Sequence, residues 1–171
     1  PVGLHLETVS IEAERQWHEV FVALGSNMGD RKGYLDLAAE QLGQTRGCRV
    51  EQVSSYIETK PYGVTDQDDF LNGCLKLRTL MPPQELLERL HEIEELAERR
   101  RTRHWGPRTL DLDIIFYDDL VYDSEELQIP HIEMHKREFV LEPMAELSGY
   151  KRHPLLHKTV AEMLAELRKK H

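Results

Sequence analysis

Two aspartates separated by a single residue, Asp111 and Asp113, stand in the segment RHWGPRTLDLDII at residues 103–115. The run TLDLDIIFYDD predicts a strand, so both carboxylates should share one face, with Leu110, Leu112 and Ile114 on the other. Two carboxylates about 4 Å apart repel by roughly 4 kcal/mol at an effective dielectric of 20. Such a pair requires either a protonated carboxyl or bound cations. Magnesium suits it, because this ion is held by one or two carboxylates together with substrate phosphates, and two ions can stabilise a phosphoryl centre.

Positive charge lies immediately before these aspartates. Guanidinium groups bind phosphate oxygens in a bidentate manner, and an indole offers a flat face to a ring. The residues concerned are Arg99, Arg100, Arg101, Arg103, Trp105 and Arg108. An aspartate pair can arise by chance, an arginine run is often a solvated helix end, and a lone tryptophan is usually core. Their combination in one acidic chain favours a polyphosphate site over those structural explanations.

Composition limits the remaining classes of function. The chain has 171 residues with a net charge of −9, which suits one soluble domain and argues against a general nucleic-acid binder. No apolar run reaches the roughly 20 residues of a membrane helix, and no secretory signal is present. The two cysteines, Cys48 and Cys74, are expected to be reduced in a cytoplasmic protein. The first residue is Pro1, which suggests a processed or excised chain. The segment GSNMGD lacks the Lys and Ser/Thr of a phosphate-binding P-loop.

Alternating and helical patterns predict the elements that carry these residues. Strands are expected over residues 19–27, 48–59, 70–80 and 109–119, with a short strand and loop over 120–131. Helices are expected from an Asp30 N-cap to about Leu42, and over 82–100, 136–147 and 159–170. This order predicts an α+β fold, a ferredoxin-like α/β sandwich whose central, mostly antiparallel sheet has helices on its faces.

The segment WGPRTLDLDI, preceded by RRRTRH, closely resembles the signature of the 6-hydroxymethyl-7,8-dihydropterin pyrophosphokinase family of folate biosynthesis. The segments ALGSNMGDR, YIETKPYG, DQDDFLNGC and IPHIEMHKREFVLEPMAEL resemble other parts of the same family, in order. The resemblance implies pyrophosphoryl transfer from ATP to the pterin hydroxymethyl group, giving AMP and the pterin diphosphate. It also implies two magnesium ions held by Asp111 and Asp113, with Arg99, Arg101 and Arg108 as catalytic residues that steady the phosphates.

The resemblance further assigns binding residues for both substrates. For ATP it implies His91, Glu94, Arg99, Arg101, Trp105, Arg108, Ile114, Gln128, His131 and Arg137. For the pterin it implies Thr59, Lys60, Tyr62, Phe70, Asn72, Trp105 and Phe139. The chain departs from the family at His104, where arginine is common, and at His91, where glutamine is frequent. Asp68 replaces a usual proline and Ile132 an occasional tyrosine.

Residues 1–18 are expected to be an additional segment ahead of a pyrophosphokinase domain at residues 19–171. The stretch LETVSIEAE alternates as a strand and resembles the end of a dihydroneopterin aldolase, which suggests a fused bifunctional folate enzyme. An extension without function is the alternative. Two alternative functions are also compatible with the aspartate pair. One is a magnesium-dependent nuclease or nucleotidyltransferase that uses the pair, and the other is a non-catalytic domain that retains a relic site. The expected partners are small molecules, without nucleic acid or membrane.

Overall fold

A computed structural model describes residues 16–60, 69–99 and 109–170, and these form a sheet with helices on both faces. The strands are β1 (His18–Ser26), β2 (Cys48–Val53), β3 (Ile57–Thr59), β4 (Phe70–Thr79), β5 (Asp111–Tyr117), β6 (Tyr122–Asp123) and β7 (Gln128–Ile129). The helices are α1 (Arg31–Gln44), α2 (Pro83–Arg99), α3 (Glu138–Ser148) and α4 (Val160–Lys169), with a 3₁₀ turn at Met134–Lys136. None of the described helices has the length and apolar character needed to cross a bilayer.

The main sheet has the order β2-β4-β1-β5, and β3 also pairs with β4. Every described pairing within it is antiparallel, so the predicted mostly antiparallel sheet is confirmed. The strands β6 and β7 form a separate two-stranded hairpin. As a result β5, which carries the two aspartates, is an outer strand of the main sheet.

The two faces of the sheet pack against different helices, because alternate side chains of each strand face opposite ways. On β1, Val20, Val22 and Leu24 join the apolar residues of α1 and α2 in a first core. Phe21 joins residues of α3 and α4 in a second core on the other face. This two-sided layering confirms the predicted sandwich.

The predicted helix starts are close to the observed ones. The side chain of Asp30 accepts a hydrogen bond from the Gly33 N–H at 3.0 Å, so it caps α1 as expected. At α4, Thr159 and Glu162 form a capping box. The helix α3 begins at Glu138, two residues after the predicted start at 136, because the preceding residues form the 3₁₀ turn.

One predicted strand is wrong in detail, since residues 48–59 form two strands rather than one. Between Val53 and Ile57, three residues lie opposite only two residues of β4, and the register shifts. The ring of Tyr56 lies over Gly73, where an added Cβ would be only 2.7 Å from the ring. Ser54 still bonds to β4 within this break. Its N–H donates to the Cys74 carbonyl, and its hydroxyl oxygen accepts from the Cys74 N–H.

The predicted boundary between an extra segment and the domain lies inside β1, which begins at His18. Residues 1–15 lie outside the described part of the chain, so the expectation for them stays a prediction. Trp17 is described, and the guanidinium of Arg49 lies 4.5 Å from the centre of its ring.

Candidate functional site

The aspartates lie in a row that crosses three strands. Asp111 of β5 is opposite Gly25 of β1, and Gly25 is opposite Asn72 of β4. Asp113 is opposite Ala23, which lies two residues before Gly25 on β1. Leu112 is buried in the first core, whereas Asp113 is exposed and Asp111 is half-buried. The alternation of β5 therefore turns both carboxylates away from the first core.

A bulge in β5 follows the aspartates. Val22 pairs with Ile114 and Phe21 pairs with Phe116, which leaves Ile115 as the extra residue. The Ile115 carbonyl accepts a hydrogen bond from the His131 backbone N–H at 3.0 Å. Bulges re-aim strands beside functional sites, and this one connects His131 to the strand that carries the aspartates.

A first cavity of about 290 Å³ opens on the face of the aspartates. It is lined by five residues that the family resemblance assigns to the pterin: Thr59, Lys60, Phe70, Asn72 and Phe139. Asp111, Asp113, His131 and Arg137 also line it. Tyr62 and Trp105, the other two residues assigned to the pterin, lie outside the described residues.

The amide of Asn72 is held firmly in this cavity. Its side chain is 6% exposed, and its Nδ2 donates to Thr59 Oγ1 at 2.6 Å. A Cβ added at Gly25 would lie 3.1 Å from Asn72 Oδ1, so glycine makes room for this amide. The cavity therefore combines a positioned donor and acceptor group, the Asn72 amide, with two aromatic residues, Phe70 and Phe139.

A second cavity of about 360 Å³ lies between α2, β5 and the segment that contains β7. It is lined by five residues that the family resemblance assigns to ATP: His91, Glu94, Ile114, Gln128 and His131. Asp111, Asp113 and His131 line both cavities. The aspartates thus stand where two neighbouring binding spaces meet.

The structure describes two of the four arginines that the family resemblance assigns to ATP, Arg99 and Arg137. Arg137, assigned to ATP, lines the first cavity rather than the second, and its guanidinium lies 5.8 Å from the centre of the Phe139 ring. Arg99 is the exposed last residue of α2, and it is not among the described residues that line either cavity. Arg101 and Arg108 lie outside the described residues, so their roles stay predictions.

The surroundings of His131 favour its neutral form. Burial lowers its pKa below the usual value, and nearby Arg137 lowers it further, whereas Asp113 and Glu133 act in the opposite sense. Its Nδ1 accepts a hydrogen bond from the Glu133 N–H at 3.2 Å, which favours the tautomer with the proton on Nε2. In that neutral form, the imidazole can donate a hydrogen bond from Nε2.

The carboxylates fit a metal that completes its coordination with substrate. Among residues 16–60, 69–99 and 109–170, no group of three or more His, Cys, Asp or Glu side chains could hold an ion alone. Two carboxylates at the meeting point of two cavities are the oxygen donors that magnesium shares with phosphates. The donor set thus suits magnesium bound together with a polyphosphate.

Sequence reasoning missed two residues beside the aspartates. Glu98 Oε1 accepts hydrogen bonds from the Thr109 N–H at 2.8 Å and from its hydroxyl at 2.9 Å. Glu98 lies one helical turn after Glu94, and that spacing on α2 was the available signal. Gly25 was also missed, since only its pairing with Asn72 and Asp111 reveals its place.

Comparison with known proteins identifies the family of this chain. The family of 7,8-dihydro-6-hydroxymethylpterin-pyrophosphokinase (HPPK) matches residues 21–149. The 2-amino-4-hydroxy-6-hydroxymethyldihydropteridine pyrophosphokinase of Bacillus subtilis is 45% identical over 127 residues, covering 74% of this chain and 76% of its own. The protein of the same name from Aquifex aeolicus is 37% identical over 147 residues, covering 86% and 91%.

Longer relatives are also similar. The bifunctional protein FolKE of Lactococcus lactis is 46% identical over 145 residues, covering 84% of this chain but only 42% of the relative. The solved structure of wild-type HPPK-DHPS from Plasmodium falciparum with pteroate has a TM-score of 0.73 at 15% identity, covering 92% of this chain and 43% of that one. That likeness supports the fold alone. With the match over residues 21–149 and the two bacterial relatives, the chain belongs to the HPPK family.

Proposed function

We propose that this chain transfers the pyrophosphoryl group of ATP to 6-hydroxymethyl-7,8-dihydropterin. The pterin hydroxymethyl oxygen forms a bond to the β-phosphorus, the bond from that phosphorus to the α-phosphate oxygen breaks, and the hydroxyl proton is released. The products are AMP and the pterin diphosphate. The observation that carries the proposal is that Asp111, Asp113 and His131 line both cavities, as a transfer between two bound substrates requires.

The first cavity suits the pterin. Phe70 and Phe139 supply aromatic surface for a flat bicyclic ring. The Asn72 amide can both donate to and accept from the polar edge of the ring, and its bond to Thr59 fixes its orientation. The volume of about 290 Å³ lies at the lower end of the range for small-molecule sites, as expected for a compact ligand.

The second cavity suits the nucleotide. His91, Glu94 and Gln128 provide polar groups, while Ile114 adds an apolar surface. The transferred phosphates would then lie towards the shared aspartates. Arg137 and the predicted arginines Arg99, Arg101 and Arg108 would neutralise charge on them.

Asp111 and Asp113 are the residues that would hold magnesium in this site. When bound, the ions would neutralise phosphate charge and orient the triphosphate. The protein's own contribution is alignment, which is most of what phosphoryl-transfer enzymes supply. The lowered pKa of His131 favours the neutral ring, whose Nε2–H can donate to a phosphate oxygen.

The direct test is to incubate the chain with ATP, magnesium chloride and the hydroxymethyl pterin, and to separate the nucleotides by chromatography. AMP should form in equal amount to the pterin consumed. Formation of ADP, or cleavage of an added oligonucleotide, would contradict the proposal. A pterin with a 6-methyl group in place of the hydroxymethyl group is the matched control, because it lacks the accepting oxygen and should give no AMP.

We also propose that the chain works as one part of a fused folate enzyme in the cytoplasm. The chain spans 42% of FolKE, and LETVSIEAE resembles the end of an aldolase. An antibody raised against this chain should detect a polypeptide well above 20.0 kDa in extracts of the source cells, in the soluble cytoplasmic fraction. A band at the mass of the chain alone would contradict the fusion, and an aldolase assay of the isolated longer polypeptide would test the partner.

A further inference from the structure

At the outer edge of β5, a backbone N–H donates to a side chain of α2. β1 pairs with β5 on one side, whereas the N–H of Leu112 points to the other side and donates to Glu94 Oε2 at 2.8 Å. Leu112 stands between Asp111 and Asp113, and it is 4% exposed. A buried N–H at a strand edge requires an acceptor, and here a side chain of α2 supplies it.

A second glutamate of α2 holds the same strand just before the aspartates. Glu98 accepts from both the backbone and the hydroxyl of Thr109, which is fully buried. Glu94 and Glu98 lie one turn apart on α2, so they contact residues three apart in the chain: Leu112 within β5 and Thr109 just before it. The helix itself is fixed to the first core by Leu90, Ile93 and Ala97.

We propose that Glu94 and Glu98 form a positioning pair, which sets the backbone of β5 so that both aspartates face the proposed metal site. This inference deepens the proposed function and depends on its metal site. It gives Glu94 a role that its predicted contact with ATP does not include, because one carboxylate oxygen is bonded to the strand itself. Side chains built on a rigid strand hold a metal well only when their support is also fixed.

The negative charge of the two glutamates strengthens the hydrogen bonds that they accept. A hydrogen bond to a carboxylate is about twice as strong as one to a neutral acceptor. Glu94→Gln keeps a carbonyl oxygen that can accept from Leu112, whereas Glu94→Leu fills similar space without an acceptor. Glu95 of the same helix is exposed, so Glu95→Leu is a matched control for adding leucine to α2.

The first readout is amide hydrogen exchange at Leu112, measured by NMR on the full chain. Protection should fall about tenfold in Glu94→Gln and about a hundredfold in Glu94→Leu, and should not change in Glu95→Leu. Unchanged protection in Glu94→Leu would overturn the inference. If Glu94→Leu does not fold, the Glu94→Gln value decides in the same way.

The second readout is the affinity for Mn²⁺ in the presence of inorganic tripolyphosphate, which lacks the nucleoside that Glu94 is predicted to contact, measured by electron paramagnetic resonance. The affinity should fall about tenfold in Glu94→Leu and less in Glu94→Gln, while pterin affinity measured by calorimetry stays unchanged. Lost protection at Leu112 with unaltered Mn²⁺ affinity would overturn the positioning role. Absence of AMP formation by the unmodified chain would refute the proposed reaction but not these two readouts, so the two failures are distinguishable.

Discussion

Replacing Gly25 with alanine tests whether the Asn72 amide selects the pterin. The added Cβ would lie 3.1 Å from Asn72 Oδ1, about 0.3 Å inside ordinary van der Waals contact. The amide cannot move freely, because it is buried and bonded to Thr59 at 2.6 Å. We therefore expect its orientation to change and that hydrogen bond to weaken. Overpacking of this kind costs about 1–3 kcal/mol of folding free energy.

The effect on binding follows from one misdirected polar group. A net hydrogen bond contributes about 0.5–1.5 kcal/mol, so the pterin dissociation constant should rise about tenfold at most. Affinity for the ATP analogue should change little, since Gly25 and Asn72 line only the first cavity among those described here. Isothermal titration calorimetry with each ligand separately measures both constants.

Gly43→Ala is the control for the glycine replacement. Gly43 lies near the end of α1, with no heavy atom within 4 Å of an added Cβ. It should leave pterin binding unchanged and stabilise the fold by about 0.5–1 kcal/mol. If Gly25→Ala bound the pterin as tightly as Gly43→Ala does, the assigned role of the Asn72 amide would be refuted.

Asp113→Asn should reduce AMP formation at least about a hundredfold without lowering Tm, because the proposal assigns this carboxylate to the metal and its exposure keeps it out of the core. Normal turnover would contradict the metal assignment. His153 has its pKa lowered, first by burial and then by neighbouring histidines, and its Nδ1 accepts from the N–H groups of Leu155 and Leu156. The unfolded chain thus binds the proton more readily, so this contribution to stability is complete above about pH 6.5 and is lost as pH falls below it. Urea unfolding at pH 7.5 and 5.5 should show that loss, and His153→Gln should show a smaller one. Burial raises the pKa of Cys74, so its thiol should react with a disulfide reagent only after denaturation, and rapid reaction of the native chain would contradict its buried position.

Local patterns predicted the parts of this fold that depend on periodicity. The alternation of residues 110–114 gave the common direction of Asp111 and Asp113, and the Asp30 cap located the start of α1. Both depend on neighbours only a few residues apart. Helix α2 was equally clear, because its buried leucines follow one face.

Long-range register could not be predicted in this way. The break after Val53 depends on how β4 is paired and on Tyr56 covering Gly73, which no local pattern reveals. The bulge at Ile115 likewise depends on β1, and it determines where His131 meets the strand. The family resemblance supplied the residues for each substrate, but it did not reveal that Asp111, Asp113 and His131 line both cavities.

The direction of β1 has a consequence for any domain joined ahead of it. The strand runs from His18 to Ser26, and its residues beside the aspartates, Ala23 and Gly25, are near its far end. At about 3.3 Å per residue, His18 lies about 23 Å from Gly25. A catalytic unit joined directly ahead of His18 would therefore meet the sheet at the end away from Asp111 and Asp113.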